Sequence, residues 1–282
     1  MRLTVLVDNN TFIDQYLVGE PAVSYYIEAE GKKILFDAGY SDVFLLNAAK
    51  LGIDLTAIDT MVLSHGHPDH SWGLVHLLRL YSEARASGKM THKPVLVAHP
   101  QVFAQRSYQG DPQIGSLLQP LDLAPFFDIQ LSKDPVKITE NLTFLGEIER
   151  RNDFEAQESL GELVIDGQKS PDWVMDDSAL VYRSREGIVI ITGCSHAGIC
   201  NIVEQARRVS GAANVVDIIG GFHLLEPSVK QLEGTADYLA SIHPEEVHAC
   251  HCTDLRSKMA LGKVINIREV GCGLVLEYSQ LD

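Results

Sequence analysis

Basic residues are scarce in this sequence relative to acidic ones. The 282-residue chain has 23 Lys and Arg against 38 Asp and Glu, which gives a formal net charge of −15 at pH 7. A surface this acidic repels a phosphate backbone, so we expect no nucleic-acid partner. A small anionic substrate would need a local cationic pocket, or a metal, to offset this field.

Long apolar runs and evenly spread cysteines are also missing. No stretch approaches the length of a membrane span, and the apolar run at the N-terminus is too short for a signal peptide, so we expect no membrane contact. An odd number of cysteines confined to the last third of the chain does not suit a secreted disulfide framework. We therefore expect reduced thiols and a cytoplasmic protein. The cysteines are Cys194, Cys200, Cys250, Cys252 and Cys272.

The apolar pattern of the rest of the chain predicts alternating strands and helices. Two pairs of strands should form hairpins, and the mixture of hairpins with crossover helices favours a largely antiparallel sheet system in a single α+β domain. The predicted strands are Leu3–Val7, Ala22–Glu28, Lys33–Phe36, Thr60–Leu63, Pro94–Ala98, Leu142–Leu145, Ser178–Arg183, Gly187–Thr192, Asn214–Ile219, Glu246–Cys250 and Leu274–Tyr278. The predicted helices cover residues 42–50, 71–81, 198–209 and 228–242, with a short last helix capped by Thr253 or Asp254.

One long segment shows no regular spacing of apolar residues. Residues 109–134 are rich in Pro, Gly and Gln. Long irregular segments in compact domains are often active-site lids or binding loops, so we predict a lid or substrate loop here.

Four side chains that can bind metals fall within six residues, directly after a predicted apolar strand. The segment is His65-Gly66-His67-Pro68-Asp69-His70. His65 and His67 are two residues apart, so in an extended loop their rings point the same way. Asp69 and His70 follow a proline that turns the chain, so the two pairs can face two neighbouring cations. Imidazole suits zinc and other borderline metals, and carboxylate suits harder ones.

This segment resembles the His-x-His-x-Asp-His signature of the metallo-β-lactamase superfamily. Asp37 after a strand matches the upstream Asp of that superfamily. Gly193–Ile199, Gly220–Leu224 and His251–Thr253 resemble segments of one branch, named for dihydropterin–(ribofuranosyl)aminobenzene 5′-phosphate synthase. The resemblance covers nearly the whole chain. It implies a four-layer αββα sandwich over residues 1–282, with a metal site at one edge of the sheets.

The sequence departs from the usual superfamily pattern at the remaining ligands. Cys194 stands where a bridging Asp is expected, and a thiolate is a competent zinc ligand, although a small buried side chain beneath the site is an alternative. His196, two residues further on, is our first choice for a ligand. Asp177 lies where a Gly-His-Thr turn is expected and is a possible ligand in place of that His. His251 ends a strand at the position of the superfamily's last metal His.

Three further side chains are candidates for contact with substrate. His223 follows two glycines at a strand end, and we interpret it as a substrate contact or a support for the ligands, with a structural histidine as the alternative. Arg106 and Arg150 flank the irregular segment, and a guanidinium suits a phosphate or a pterin edge, unless these are ordinary solvated charges. Asp37 should orient a ligand imidazole rather than bind metal itself.

These residues predict a metal-dependent enzyme with two divalent ions. Zinc is the first choice of metal, and manganese and iron are the alternatives. The expected ligands are His65, His67, Asp69, His70, His196 and His251, and Asp69 should also act in catalysis by orienting or deprotonating the nucleophile. The expected substrate is a small phosphorylated or pterin-like molecule. A general hydrolase of phosphodiesters, lactones or thioesters is the first alternative, and a non-catalytic metal-containing binding protein is the second.

Overall fold

The computed structural model describes residues 1–281. Within them the strands are β1 (Arg2–Val7), β2 (Ser24–Ala29), β3 (Lys32–Phe36), β4 (Thr60–Val62), β5 (Val95–Ala98), β6 (Gln105–Ser107), β7 (Asp128–Leu131), β8 (Val136–Lys137), β9 (Leu142–Phe144), β10 (Glu162–Ile165), β11 (Gln168–Pro171), β12 (Ala179–Arg183), β13 (Ile188–Thr192), β14 (Val215–Gly221), β15 (Glu246–Cys250) and β16 (Val275–Glu277). The helices of the same residues are α1 (Val43–Lys50), α2 (Pro68–Ser71), α3 (Leu74–Ala86), α4 (Pro120–Leu123), α5 (Ile199–Ser210), α6 (Val229–Ile242) and α7 (Leu255–Leu261).

Two large mixed sheets form the centre of the molecule. The first has the strand order β16-β1-β2-β3-β4-β5-β7, and the second has the order β15-β14-β13-β12-β9-β8. Each sheet is antiparallel in one half and parallel in the other, because α3, α5 and α6 return the chain to the same end before the next strand begins. The sheets are therefore mixed, and the expectation of a largely antiparallel system was too simple.

Three apolar layers hold this arrangement together. One lies between the sheets, where Phe36 of the first sheet and Ile191 of the second are fully buried. A second lies between the first sheet and its helices, with Tyr81 of α3 in it. A third lies between the second sheet and α5 to α7, with Ile202 of α5 in it. Helices outside, sheets inside and three apolar interfaces make the four-layer sandwich that the sequence predicted.

The segment 109–134 is more regular than predicted. Residues 128–131 form β7, an edge strand that pairs in parallel with β5. Leu123 and Phe127 are buried in the layer beneath α3. Trp72 Nε1 donates a hydrogen bond to the carbonyl of Gly115 at 2.7 Å. These contacts fix parts of the segment to the body of the protein, and a lid or substrate loop over residues 109–134 stays a prediction.

A small third sheet was not predicted from the sequence. It has the order β11-β10-β6, and its strands pair in antiparallel fashion. It covers one side of the sheet edge at which β4, β13, β14 and β15 end. No helix within residues 1–281 is both long and apolar enough to cross a bilayer.

Candidate metal centre

The histidine-rich segment leaves β4 as an extended loop and then enters α2. His67 is the N-cap residue of α2, and Pro68 is at its first position, where the missing N–H of proline costs nothing. Residue 66 must be glycine, because a Cβ atom there would overlap the carbonyl oxygen of Val102 and the guanidinium of Arg106. This local geometry turns all four donor side chains towards the edge of the sheets.

The first group of donors consists of three imidazoles. His67 Nδ1 lies 3.0 Å from His65 Nε2 and 3.1 Å from His196 Nε2. All three rings are at most 8% exposed. His196 comes from the turn after β13, where Ser195 adopts a left-handed conformation with φ 59° and donates a hydrogen bond to the carbonyl of Gly221 at 2.6 Å.

The second group of donors combines a carboxylate, two imidazoles and a thiol. Asp69 Oδ2 lies 3.2 Å from His251 Nε2 and 3.6 Å from His70 Nε2. Cys194 Sγ lies 3.2 Å from both of these ring nitrogens. One donor atom from each of these four residues falls within 4.8 Å of the others.

Cys194 belongs to both groups. Its sulfur also lies within 4.8 Å of donor atoms of His65 and His196. The thiol therefore lies between the two groups, where it could contact an ion in either one, and the choice between a ligand and a small buried side chain for Cys194 stays a prediction.

The donor arrangement fits metal ions better than it fits hydrogen bonds alone. His67 Nδ1 faces two other ring nitrogens at once, and a single proton can satisfy only one of those contacts. Two cations placed among the three imidazoles, the thiol and the carboxylate would satisfy every one of these atoms. Imidazole with thiolate is the donor set that zinc prefers.

The protonation states also suit metal binding. Burial lowers the pKa of His65, His67 and His196, to about 3 for His67, so these rings are neutral at pH 7 and free to coordinate. Burial alone would lower the pKa of His70, but the carboxylates of Asp69 and Asp37 outweigh it and raise that pKa to about 9. A metal must therefore displace a proton from His70, so its affinity should increase as the pH rises towards 9.

Carboxylate and amide side chains outside the two donor groups contact the ligand imidazoles and fix the orientation of those rings. Asp37 Oδ2 lies 2.6 Å from His70 Nδ1, and Asp37 also accepts hydrogen bonds from the N–H and hydroxyl of Ser64 at 2.7 Å each. This is the contact predicted for a carboxylate that orients a ligand imidazole. On the opposite side, the N–H of His251 donates to Asp8 Oδ1 at 3.1 Å, and His251 Nδ1 lies 3.2 Å from Asn9 Oδ1.

Asp177 lies behind the turn that carries His196. Its Oδ2 accepts the N–H of Ala197 at 2.8 Å, and neither donor group includes it. Burial raises its pKa to about 7. The structure thus places Asp177 as a support for the His196 turn rather than among the metal donors.

Arg106 is buried, so it is not the solvated surface charge that the sequence offered as an alternative. Its Nε donates to Asp172 Oδ2 at 2.8 Å, and its Nη2 donates to Asp176. Asp176 in turn accepts the N–H of Gly66 at 2.9 Å. The Arg106 guanidinium thus pairs with two buried carboxylates that support the histidine loop, and its Nη1 has no hydrogen-bond partner among residues 1–281, so a contact between Arg106 and substrate stays a prediction.

Arg150 is likewise engaged by the protein. Its Nη2 donates to the backbone carbonyls of Trp173 and, at 3.1 Å, Val174. Those two residues line a cavity of about 680 Å³ that also contains His196 and His223. Arg150 therefore holds the wall of the cavity through Nη2, while its Nε has no hydrogen-bond partner among residues 1–281, and the substrate contact predicted for Arg150 stays a prediction.

His223 lies in that cavity beside the first donor group. Its ring centroid is 4.2 Å from that of His196, and its backbone N–H donates to Cys252 Sγ at 3.2 Å. Its Nδ1 is buried and has no hydrogen-bond partner in the part of the chain that the structure describes. The position agrees with the predicted contact to substrate.

Comparison with known proteins decides the family. A profile of the metallo-beta-lactamase superfamily matches residues 17–209, which is more than half of the chain. The chain belongs to this superfamily. The crystal structure of a metal-dependent hydrolase of the beta-lactamase superfamily superimposes with a TM-score of 0.83 at 28% identity, and the match covers 99% of this chain and 100% of that one.

Two proteins of one archaeon are similar to this chain in sequence. The 7,8-dihydropterin-6-methyl-4-(beta-D-ribofuranosyl)-aminobenzene-5′-phosphate synthase of Methanocaldococcus jannaschii is 30% identical over 84% of this chain and 82% of its own length. An uncharacterized protein of the same organism is 30% identical over 94% of this chain and 95% of its own length.

Several residues around the superfamily site escaped the sequence analysis. Asp8 and Asn9 act on His251 from more than 240 residues away, so no local pattern reveals them, although both directly follow β1 at the edge where the other strands end. His248, which no sequence pattern singled out, is buried in β15 with Nδ1 2.9 Å from Asp217 Oδ1. Tyr278 donates a hydrogen bond to the other carboxylate oxygen of Asp217 at 2.6 Å, so His248, Asp217 and Tyr278 pair with one another.

Proposed function

We propose that this protein is a metal-dependent enzyme that joins two small molecules at a dinuclear centre, as a pterin-dependent synthase. The observation that carries the proposal is the placement of Cys194 Sγ between two complete donor groups, with the cavity of His196 and His223 directly beside them. The similarity to the archaeal synthase supports the substrate class, a dihydropterin and an arylamine ribose phosphate. Zinc is the metal that the imidazole and thiolate donors favour.

The open character of the centre supports an enzyme over a purely structural metal protein. Structural zinc sites are closed sets of four protein ligands. Here the side chain of Asp69 remains 30% exposed, and the first donor group borders a cavity large enough for a small organic molecule.

The walls of that cavity suit a flat ring. The indole of Trp173 is 43% exposed and the phenol of Tyr108 is 37% exposed, and both face the cavity together with Phe154. Exposed aromatic faces stack on conjugated heterocycles. We assign this cavity to the dihydropterin ring, with Arg150 holding the backbone of Trp173 in place.

The chain's own residues can handle the protons of such a reaction. In a condensation of this type, the bond from the dihydropterin carbon to a diphosphate oxygen breaks, the arylamine nitrogen attacks the same carbon, and the amine loses a proton. Divalent ions at the centre would supply Lewis acidity towards the departing diphosphate. His223, which lines that cavity beside His196, is the residue placed to accept the amine proton. Asp69 Oδ2 and His251 Nε2, 3.2 Å apart, hold the opposite side of the centre.

A hydrolase is the second candidate, and the 28% identical metal-dependent hydrolase favours it. In that case water replaces the arylamine as the nucleophile, and Asp69 is the group best placed to orient it. The two candidates need the same metal centre, so metal content does not distinguish them.

A substrate assay separates the two candidates. Metal-reconstituted protein is incubated with dihydropterin diphosphate, with and without (ribofuranosyl)aminobenzene 5′-phosphate, and separately with phosphodiester, lactone and thioester substrates. We expect a joined product only when both pterin and arylamine are present. Hydrolysis of an ester, with no joined product under any metal, would contradict the synthase proposal and establish the hydrolase.

A further inference from the structure

A second cavity borders the second donor group. It has a volume of about 710 Å³ and contains His251 of the second donor group. Leu225, which is 57% exposed, lies in the walls of both cavities. The centre is thus flanked by two separate spaces, one reached past His196 and His223 and the other reached past His251.

Some cationic side chains in the two cavities form ion pairs with carboxylates, and one does not. Lys230 Nζ in the first cavity lies 2.7 Å from Asp153 Oδ2, and Arg268 Nη2 in the second lies 2.6 Å from Glu246 Oε1. Lys258, also in the second cavity, has no ion pair or hydrogen bond with any residue that the structure describes. It is half-buried on α7.

An anion bound in this cavity would stabilise the unpaired ammonium group of Lys258. A partly desolvated charge gains from a partner that the protein itself does not provide. The nearest acidic residue of the same cavity wall, Asp254, is engaged by the N–H groups of Ser257 at 2.6 Å and Glu226 at 2.8 Å. Glu269 stays at the exposed rim.

We propose that the cavity around Lys258 binds the phosphomonoester end of the arylamine substrate, on the far side of Leu225 from the pterin cavity. This inference rests on the proposed function for the identity of the phosphate carrier. It gives phosphate recognition an ammonium group with no partner in the protein, whereas the guanidinium groups of Arg106 and Arg150 each donate to groups of the protein itself. The two components then approach the centre from the two separate cavities.

The test measures binding of ribose 5-phosphate to the metal-reconstituted protein by isothermal titration calorimetry, with ribose as the uncharged control. A charge-assisted hydrogen bond to phosphate leads us to expect that Lys258→Ala weakens ribose 5-phosphate binding about 10-fold. Lys258→Arg should bind close to the wild-type affinity. Lys263→Ala is the matched control, since Lys263 is an exposed lysine just beyond α7 and outside the cavity, and its loss removes the same net charge.

Two results would overturn the assignment. Wild-type affinity in Lys258→Ala would show that the phosphate binds elsewhere, and an equal loss in Lys263→Ala would show a general charge effect. Metal content is measured for every variant and should not change. Because the readout is binding rather than turnover, failure of the synthase reaction and failure of the Lys258 site give different results.

Discussion

Asp69→Ala should lower kcat by about 1000-fold while the protein remains folded. Asp69 Oδ2 contacts His251 and His70 at the open side of the centre, and its loss removes both a donor of the second group and the carboxylate best placed to act on the nucleophile. The side chain is 30% exposed and packs against no part of the apolar layers, so stability should change little. Steady-state kinetics on the substrate identified above, with circular dichroism for the fold, measures both effects.

The matched control for this variant is Asp237→Ala. Asp237 is an exposed carboxylate on α6 with no hydrogen bond or ion pair in the described chain, so its removal changes the net charge by the same amount without touching the centre. We expect normal turnover from it. If Asp69→Ala kept near-normal rates, neither the donor role nor the catalytic role of Asp69 would stand.

Arg106→Ala should destabilise the protein by about 3–5 kcal/mol. The substitution leaves the carboxylates of Asp172 and Asp176 buried without their shared counter-charge. It also weakens the support that Asp176 gives to the N–H of Gly66, so the histidine loop should lose part of its order and bind metal less tightly. Urea unfolding of the metal-loaded protein at pH 7 gives the change in free energy of unfolding.

Arg151→Ala is the comparison for this prediction, because the Arg151 guanidinium is exposed and pairs only with the exposed Glu149. Exposed pairs of this kind contribute little, and we expect no measurable change in its stability. A normal free energy of unfolding for Arg106→Ala, together with a raised KM, would favour the prediction that Arg106 binds substrate.

The sequence predicted the elements with strong apolar periods well. The hairpin of β12 and β13 and the strand β15 were placed to within one residue, because they consist of buried β-branched and aliphatic residues between turn signals. β7, β10 and β11 were missed. Their side chains are mostly exposed, and β11 is exposed throughout, so no alternation of apolar and polar residues marks them.

The sequence predicted the part of the candidate site whose metal-binding residues lie close together in the chain. His65, His67, Asp69 and His70 share one loop, so their residue types alone indicated a metal site. Family resemblance added Cys194, His196, His251 and Asp37. The structure brings His65, Asp69, His70, Cys194, His196 and His251 into the two donor groups, with His67 Nδ1 in contact with the first.

The sequence could not show how charged side chains pair in the folded protein. A sequence shows that an arginine is present but not whether distant carboxylates neutralise it. Arg106 meets Asp172 and Asp176 only after β6, β10 and the turn before β12 have come together. Lys258 is free for the opposite reason, because the acidic side chain nearest to it in the chain caps α7 instead. Only the folded structure distinguishes these two cases.

We propose that two ions bound at this centre would share the thiolate of Cys194. Anomalous diffraction at the zinc edge from crystals of zinc-reconstituted protein tests it most directly. We predict two peaks per chain, roughly 3.5–4 Å apart, with Cys194 Sγ about 2.3 Å from each. One peak among His65, His67 and His196 should be tetrahedral with the sulfur, and the other should lie among Asp69, His70 and His251. A single peak at full occupancy, or two peaks with Cys194 bound to neither, would contradict the account.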